Sequence, residues 1–162
     1  MIRSLLLIGG LNALYWYPVL AFSDGNCVLE HCEADSAPVT HPTEHNVLST
    51  PLQICSTDPM TGFYRDGYCR TGSNDRGVHV VCAEMTKEFL EYTKAKGNDL
   101  SSPSPQYGFP GLKPGDKWCL CADRWAEANR ASVAPNVILQ ASSKSALDRL
   151  TLSTLQGSAQ DK

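Results

Sequence analysis

Two cysteines separated by one residue, Cys119 and Cys121, are the side chains of this 162-residue chain best placed for chemistry. Side chains alternate along a strand, so the predicted strand at 117–121 puts both sulfurs on the same face. Their Cα atoms are then about 6.5–7 Å apart, at the far limit of what a disulfide spans. A bond between the two is therefore not expected, and each thiol is available to a metal ion or to a separate partner.

A metal centre is the first hypothesis for these thiols. Zinc and other soft metals bind thiolates, and a Cys-x-Cys strand is a plausible half-site for such an ion. The candidate ligands are the five cysteines that follow residue 46, namely Cys55, Cys69, Cys82, Cys119 and Cys121. The chain contains no C-x-x-C pair, so the spacing is not that of a standard zinc site.

A thiol-dependent enzyme is the second hypothesis, in which one cysteine is a nucleophile or a redox thiol. Cys121 directly precedes a predicted helix, and the positive end of a helix dipole favours a thiolate. His79 is the candidate base, with Asp66 or Asp75 as the carboxylate that orients it. These residues are far apart in sequence, so only the fold can bring them together.

A structural or binding module is the third hypothesis. Free cysteine is among the most buried residue types, and cysteines of an exported protein pair as disulfides. In that case Asp66, which precedes Gly67, and Asp75, which lies two residues before Gly77, are turn residues.

Strands and helices on either side of the cysteines are predicted to position them. A β-branched strand covers 78–83, and a helix follows from its cap at Thr86 to Gly97. One strand face is predicted to carry Val78, Val80 and Cys82, and the other His79, Val81 and Ala83. His79 is therefore expected to face away from Cys82.

After the Cys119 strand, the pattern predicts a helix near 123–131 with Asp123 as its cap. A strand near 136–141 and a helix near 143–150 follow, and the strand–helix–strand order favours a parallel pair. The turn-rich segments 49–77 and 98–116 are two long loops. The aromatic residues and cysteines of the first loop predict that it is packed down. The predicted fold is α+β, or small α/β, as a single compact domain with a short mixed sheet, about three helices and two long loops.

The ends of the chain look different from its middle. Residues 1–21 are predicted to be a signal peptide, and 22–45 an acidic, disordered tail. The domain covers 46–156, and 157–162 are a disordered end. The leader predicts an exported or organellar protein, or a cytoplasmic one if the start is misassigned. The net charge of −3 leaves no excess of positive charge for binding nucleic acid, so no nucleic-acid partner is expected. No membrane contact is expected beyond the leader.

Four motifs resemble those of DUF2237, a bacterial family of unknown function. They are CSTDPMTGFYRDG at 55–67 followed by Cys69, GNDLS at 97–101, FPGLKPGD at 109–116, and WCLCA at 118–122 followed by Arg124 and Trp125. The resemblance covers roughly 46–156 and brings no activity, substrate or cofactor with it. It implies a short bacterial protein in a reducing cytosol. The cysteines of such a protein are not expected to form a framework of disulfides.

Overall fold

The computed structural model describes residues 40–160, and its strands form two small antiparallel sheets. Strands β1 (Thr40–His45) and β2 (Pro51–Gln53) pair as a two-stranded ribbon. The second sheet has β3 (His79–Glu84) at its centre, between β4 (Lys117–Cys121) and β5 (Asn136–Val137). The predicted leader and most of the acidic tail lie outside the described residues.

The strand directions correct two predictions. Both neighbours of β3 run antiparallel to it, so the sheet is antiparallel and not mixed. Strands β4 and β5 consequently run in the same direction, as their strand–helix–strand order suggested, but β3 separates them. The predicted parallel pair is therefore not formed, because the order of elements does not determine which strand lies between two others.

Three α-helices complete a compact α+β domain: α1 (Lys87–Ala95), α2 (Ala122–Arg130) and α3 (Leu152–Gly157). The Thr86 hydroxyl caps α1 by accepting a hydrogen bond from the Phe89 N–H, as its sequence predicts. Helix α2 begins one residue earlier than predicted, so its N-cap is Cys121 and not Asp123. None of the helices within residues 40–160 is both long and apolar enough to cross a bilayer.

The segment after β5 differs from its prediction. The apolar run predicted as a strand to 141 is a strand over Asn136–Val137 only, followed by a 3₁₀ turn at Leu139–Ala141. The helix predicted near 143–150 is a second 3₁₀ turn, Lys144–Asp148. Short apolar runs are ambiguous in this way because periodicity alone cannot distinguish a buried strand from a buried helical turn.

The two faces of the β3–β4 pair bury different chemistry. Trp118 and Leu120 point into the main apolar core, where the helices pack around the buried Trp125. The indole N–H of Trp125 donates a 3.1 Å hydrogen bond to the Pro135 carbonyl, so its polar atom is satisfied. Cys119 points the other way, into a smaller cluster made by four buried cysteines and Ala141. The predicted alternation along β4 is therefore present.

Candidate functional site: a cysteine, histidine and aspartate in series

Two disulfides fasten the first long loop to the sheet. Cys55 bonds to Cys82 of β3, and Cys69 bonds to Cys119 of β4. The loop that carries Cys55 and Cys69 is thus packed down at two points. The disulfides correct the expectation, implied by the family resemblance, that these cysteines form no disulfide frame, and they are compatible with an exported protein.

The same bonds argue against a metal centre built from these four residues. The sulfurs of Cys55, Cys69 and Cys119 lie within 4.8 Å of one another, close enough to ligate a single ion. Metal ligation needs thiolates, however, and a sulfur in a disulfide is not one. Of the five cysteines within residues 40–160, only Cys121 is free.

A β-bulge brings His79 to Cys121. Cys82 lies opposite Cys119 and Val81 lies opposite Leu120, but the next pairing joins His79 to Cys121. Val80 is therefore an extra residue on β3, and the alternation of side chains shifts by one position there. The bulge corrects the prediction that His79 faces away from the cysteine face, because that prediction assumed a regular strand.

A strained turn leads into this bulge. Val78 has φ 51°, a left-handed conformation that β-branched residues rarely adopt and that costs about 1–3 kcal/mol. Its carbonyl accepts a 3.1 Å hydrogen bond from the N–H of Ala122, the first residue of α2. Gly77 is tightly enclosed, because a Cβ atom there would overlap Cε1 of His79 and lie 3.0 Å from Sγ of Cys121. The turn thus holds the histidine against the start of α2.

Cys121, His79 and Asp75 form a series joined by two hydrogen bonds. Nε2 of His79 lies 3.1 Å from Sγ of Cys121, and Nδ1 lies 2.6 Å from Oδ1 of Asp75. The Asp75 side chain is fully buried, whereas that of His79 is 34% exposed. Oδ2 of Asp75 accepts two more bonds, from the His79 backbone N–H at 2.8 Å and from the Thr71 hydroxyl at 3.0 Å. The carboxylate therefore fixes the ring and directs its other nitrogen at the sulfur.

The electrostatics of the series favour a charged imidazole. The hydrogen bond to Cys121 raises the pKa of His79 from 6.5 to about 9, against the opposing effect of burial and with further help from Asp75. Burial alone would raise the pKa of Asp75, but its hydrogen bonds to His79 and Thr71 hold that pKa below its usual value. A cysteine paired with a histidine that a carboxylate orients can act as a nucleophile.

The sulfur of Cys121 and the imidazole of His79 line two different surface pockets. Cys121 lines a cleft of about 450 Å³ that runs along α2. His79 lines a smaller pocket of about 140 Å³ together with Phe63 and Trp118. The Phe63 ring stacks on the imidazole, with ring centroids 6.3 Å apart and planes 17° from parallel.

The structure brings together some of the predicted site residues and separates others. Cys121, His79 and Asp75 meet, but the other candidate carboxylate, Asp66, is bound to Arg70 through contacts of 2.7 and 2.8 Å. The enclosed Gly77 was missed by sequence reasoning, which placed it only at the end of the turn-rich segment 49–77. Its position between Asp75 and His79, in the spacing D-x-G-x-H, is the signal that could have found it.

Comparison with known proteins identifies a family and no activity. No curated protein matches the chain. The model of the family described as "Uncharacterized protein conserved in bacteria (DUF2237)" matches residues 45–159. That range is most of the chain and nearly all of the described domain, and the chain therefore belongs to the DUF2237 family.

Proposed function

We propose that the protein is a thiol-dependent enzyme in which Cys121 is the nucleophile, His79 the general base and acid, and Asp75 the group that orients the histidine. The observation that supports this function is the pair of hydrogen bonds that joins the three side chains, at 3.1 and 2.6 Å. Nucleophile, base and orienting carboxylate within hydrogen-bond reach are the arrangement that activates a thiol.

Acyl transfer is the reaction class that these groups serve most directly. The thiolate of Cys121 attacks a carbonyl carbon, a carbon–sulfur bond forms, and the leaving group departs with a proton from Nε2 of His79. Water then attacks the thioester and gives its proton to His79. The carbon–sulfur bond then breaks, which releases a carboxylic acid and restores the Cys121 thiolate beside the protonated His79.

The start of α2 supports the same reaction. The first N–H groups of a helix have no acceptor within the helix, and their dipoles favour negative charge. The N–H of Ala122 is already bonded to the Val78 carbonyl. The N–H groups of Asp123 and Arg124 are therefore the donors proposed for the oxyanion that forms when the thiolate attacks.

Burst kinetics with an activated ester test the proposal. p-Nitrophenyl acetate should release about one equivalent of nitrophenolate rapidly as the thioester forms, followed by a slower steady rate. The burst should be absent from Cys121→Ser and much slower in His79→Gln. If Cys121→Ser keeps a burst of the same size, or if the wild-type protein shows none, Cys121 is not the nucleophile.

A further inference from the structure

We infer that the substrate of Cys121 carries an anionic oxygen group, a carboxylate or a phosphate, which is bound by the arginines of the cleft beside the sulfur. This inference rests on the proposed nucleophilic role of Cys121 and names the substrate class of that site. It is based on the charged side chains that line the cleft and on which of them form ion pairs.

The cleft that Cys121 opens onto is lined mainly by charged side chains. Three of them are arginines, Arg76, Arg124 and Arg130, and two are acids, Asp123 and Glu127. At about 450 Å³ the cleft has the volume of a site for a small molecule. The lining therefore favours a charged substrate over an apolar one.

Both carboxylates of the cleft already have partners. Asp123 forms a 3.0 Å salt bridge with Arg149, and Glu127 forms a 3.1 Å salt bridge with Arg124. Within residues 40–160, neither Arg76 nor Arg130 pairs with a carboxylate. Their two positive charges are consequently uncompensated, and a charged cleft of this kind concentrates anions.

Arg76 and Arg130 are proposed to act on the substrate over different distances. Arg76 directly precedes Gly77, the residue enclosed against the sulfur, and lines the same cleft as Cys121. Arg130 ends α2, and eight residues of helix place it about 12 Å from the N-terminus of that helix. Arg76 is therefore the proposed direct contact, while Arg130 acts through its field. Guanidinium groups bind carboxylate and phosphate through paired N–H donors.

The pocket on the imidazole side is lined by two cations that are already engaged within the protein, since both ring nitrogens of His79 are bonded, to Asp75 and to Cys121. Its arginine, Arg65, lies 4.9 Å over the Trp118 ring and donates a 3.2 Å hydrogen bond to the Met60 carbonyl. That guanidinium is engaged within the protein. The anionic group of a substrate is therefore assigned to the cysteine side of the site.

Two alkylating reagents of nearly equal size test this inference. Iodoacetate carries a carboxylate and iodoacetamide does not, and both react by forming a sulfur–carbon bond as iodide leaves with the electron pair. The rates are measured at Cys121 of the full chain, on the tryptic peptide Trp118–Arg124 after quenching and reduction, which separates it from Cys27 and Cys32. N-acetylcysteine provides the ratio of the two rates for a thiol without a cleft.

The inference predicts a ratio of iodoacetate to iodoacetamide rates at least about ten-fold above that of N-acetylcysteine, and a fall of this ratio with added salt. Arg76→Ala with Arg130→Ala should lower the ratio most of the way to that of the free thiol, the remainder being due to the charged imidazole of His79. The control Lys87→Ala with Lys96→Ala, at the two ends of α1, also removes two positive charges and should retain the ratio. Arg76 and Arg130 are exposed, so their removal should leave the melting temperature unchanged.

The possible failures are distinguishable. If Cys121 reacts faster than N-acetylcysteine with iodoacetamide but shows the same ratio, anion binding is wrong while the proposed nucleophile stands. If the ratio is raised and the double arginine variant keeps it, the assignment to these arginines is wrong. If Cys121 reacts no faster than the free thiol with either reagent, the proposed function itself fails.

Discussion

Asp75 holds His79 at two points, because one carboxylate oxygen accepts from the ring Nδ1 at 2.6 Å and the other from the backbone N–H of the same residue at 2.8 Å. Ring and main chain are thus fixed by a single buried side chain. The orientation of the ring is therefore fixed, with Nε2 pointing toward Sγ of Cys121 at 3.1 Å.

Asp75→Asn should therefore lower the rate of Cys121 acylation by about 10²- to 10⁴-fold, the range that a positioned acid–base group contributes. Burst kinetics with p-nitrophenyl acetate measure the effect. Asp66→Asn is the matched control, since Asp66 pairs with Arg70 and does not touch the series. Equal rates in the two variants would contradict the role given to Asp75.

The titration of His79 should depend on Cys121. The hydrogen bond to that sulfur is the largest contribution that raises the pKa of His79 to about 9, so Cys121→Ala should shift the pKa toward 6.5. The ring protons of His79, followed by NMR across the pH range, report this pKa directly. A wild-type midpoint near 6.5 would contradict the described pairing.

The same pKa predicts how stability depends on pH. Folding raises the pKa of His79 from 6.5 to about 9, so its protonated ring stabilises the folded state. This contribution is fully present below pH 6.5 and is lost as the pH rises through about 9. The stability difference between wild type and His79→Gln, measured by urea unfolding, should accordingly be larger near pH ~6 than near pH ~10. An equal difference at both pH values would count against a raised pKa.

Gly77→Ala should impair the site by steric overlap alone. The added methyl group would overlap Cε1 of His79 and crowd Sγ of Cys121, and so the two side chains must separate. We expect at least about a ten-fold slower burst, because a lengthened hydrogen bond weakens proton transfer. Gly157→Ala is the control, since no atom lies within 4 Å of a Cβ placed there. A burst of wild-type rate in Gly77→Ala would show that the enclosure is unimportant.

Removing either disulfide should cost stability. The bonds close loops of 27 and 50 residues, for which the chain-entropy model gives about 3–4 kcal/mol each. Denaturant unfolding of Cys55→Ala with Cys82→Ala, and of Cys69→Ala with Cys119→Ala, measures the two losses. Without reductant, alkylation should modify only Cys121 among the five cysteines within residues 40–160. Modification of all five in the folded protein would mean that the disulfides are not formed.

Local signals in the sequence predicted part of this structure. The cap at Thr86, the alternation along β4 and the strand-to-helix junction at Cys121 depend on neighbouring residues, and each is present. His79 was predicted as the base for Cys121, with Asp75 as one of two possible orienting residues. Of the two carboxylates, Asp75 is the one that contacts the histidine, because the turn before β3 brings it back onto the ring.

The remaining features depend on contacts that sequence patterns do not encode. A bulge adds one residue to β3 at Val80, and the alternation rule assumes that no such residue is present. The disulfide partners are 27 and 50 residues apart, and cysteine spacing alone leaves many pairings possible. Separation of β4 from β5 likewise depends on β3, which precedes both in the chain.

The location of the acyl group after brief exposure to p-nitrophenyl acetate is the most direct test of the central claim. Acid quenching followed by mass spectrometry of the tryptic peptide Trp118–Arg124, which remains linked through Cys119 to the Cys69 peptide, identifies the acylated atom. A Cys121–His79–Asp75 nucleophile predicts a thioester on Cys121 that forms in the wild-type protein and is lost in His79→Gln. Acetyl groups found only on lysines or the amino terminus, with Cys121 unmodified, would contradict it.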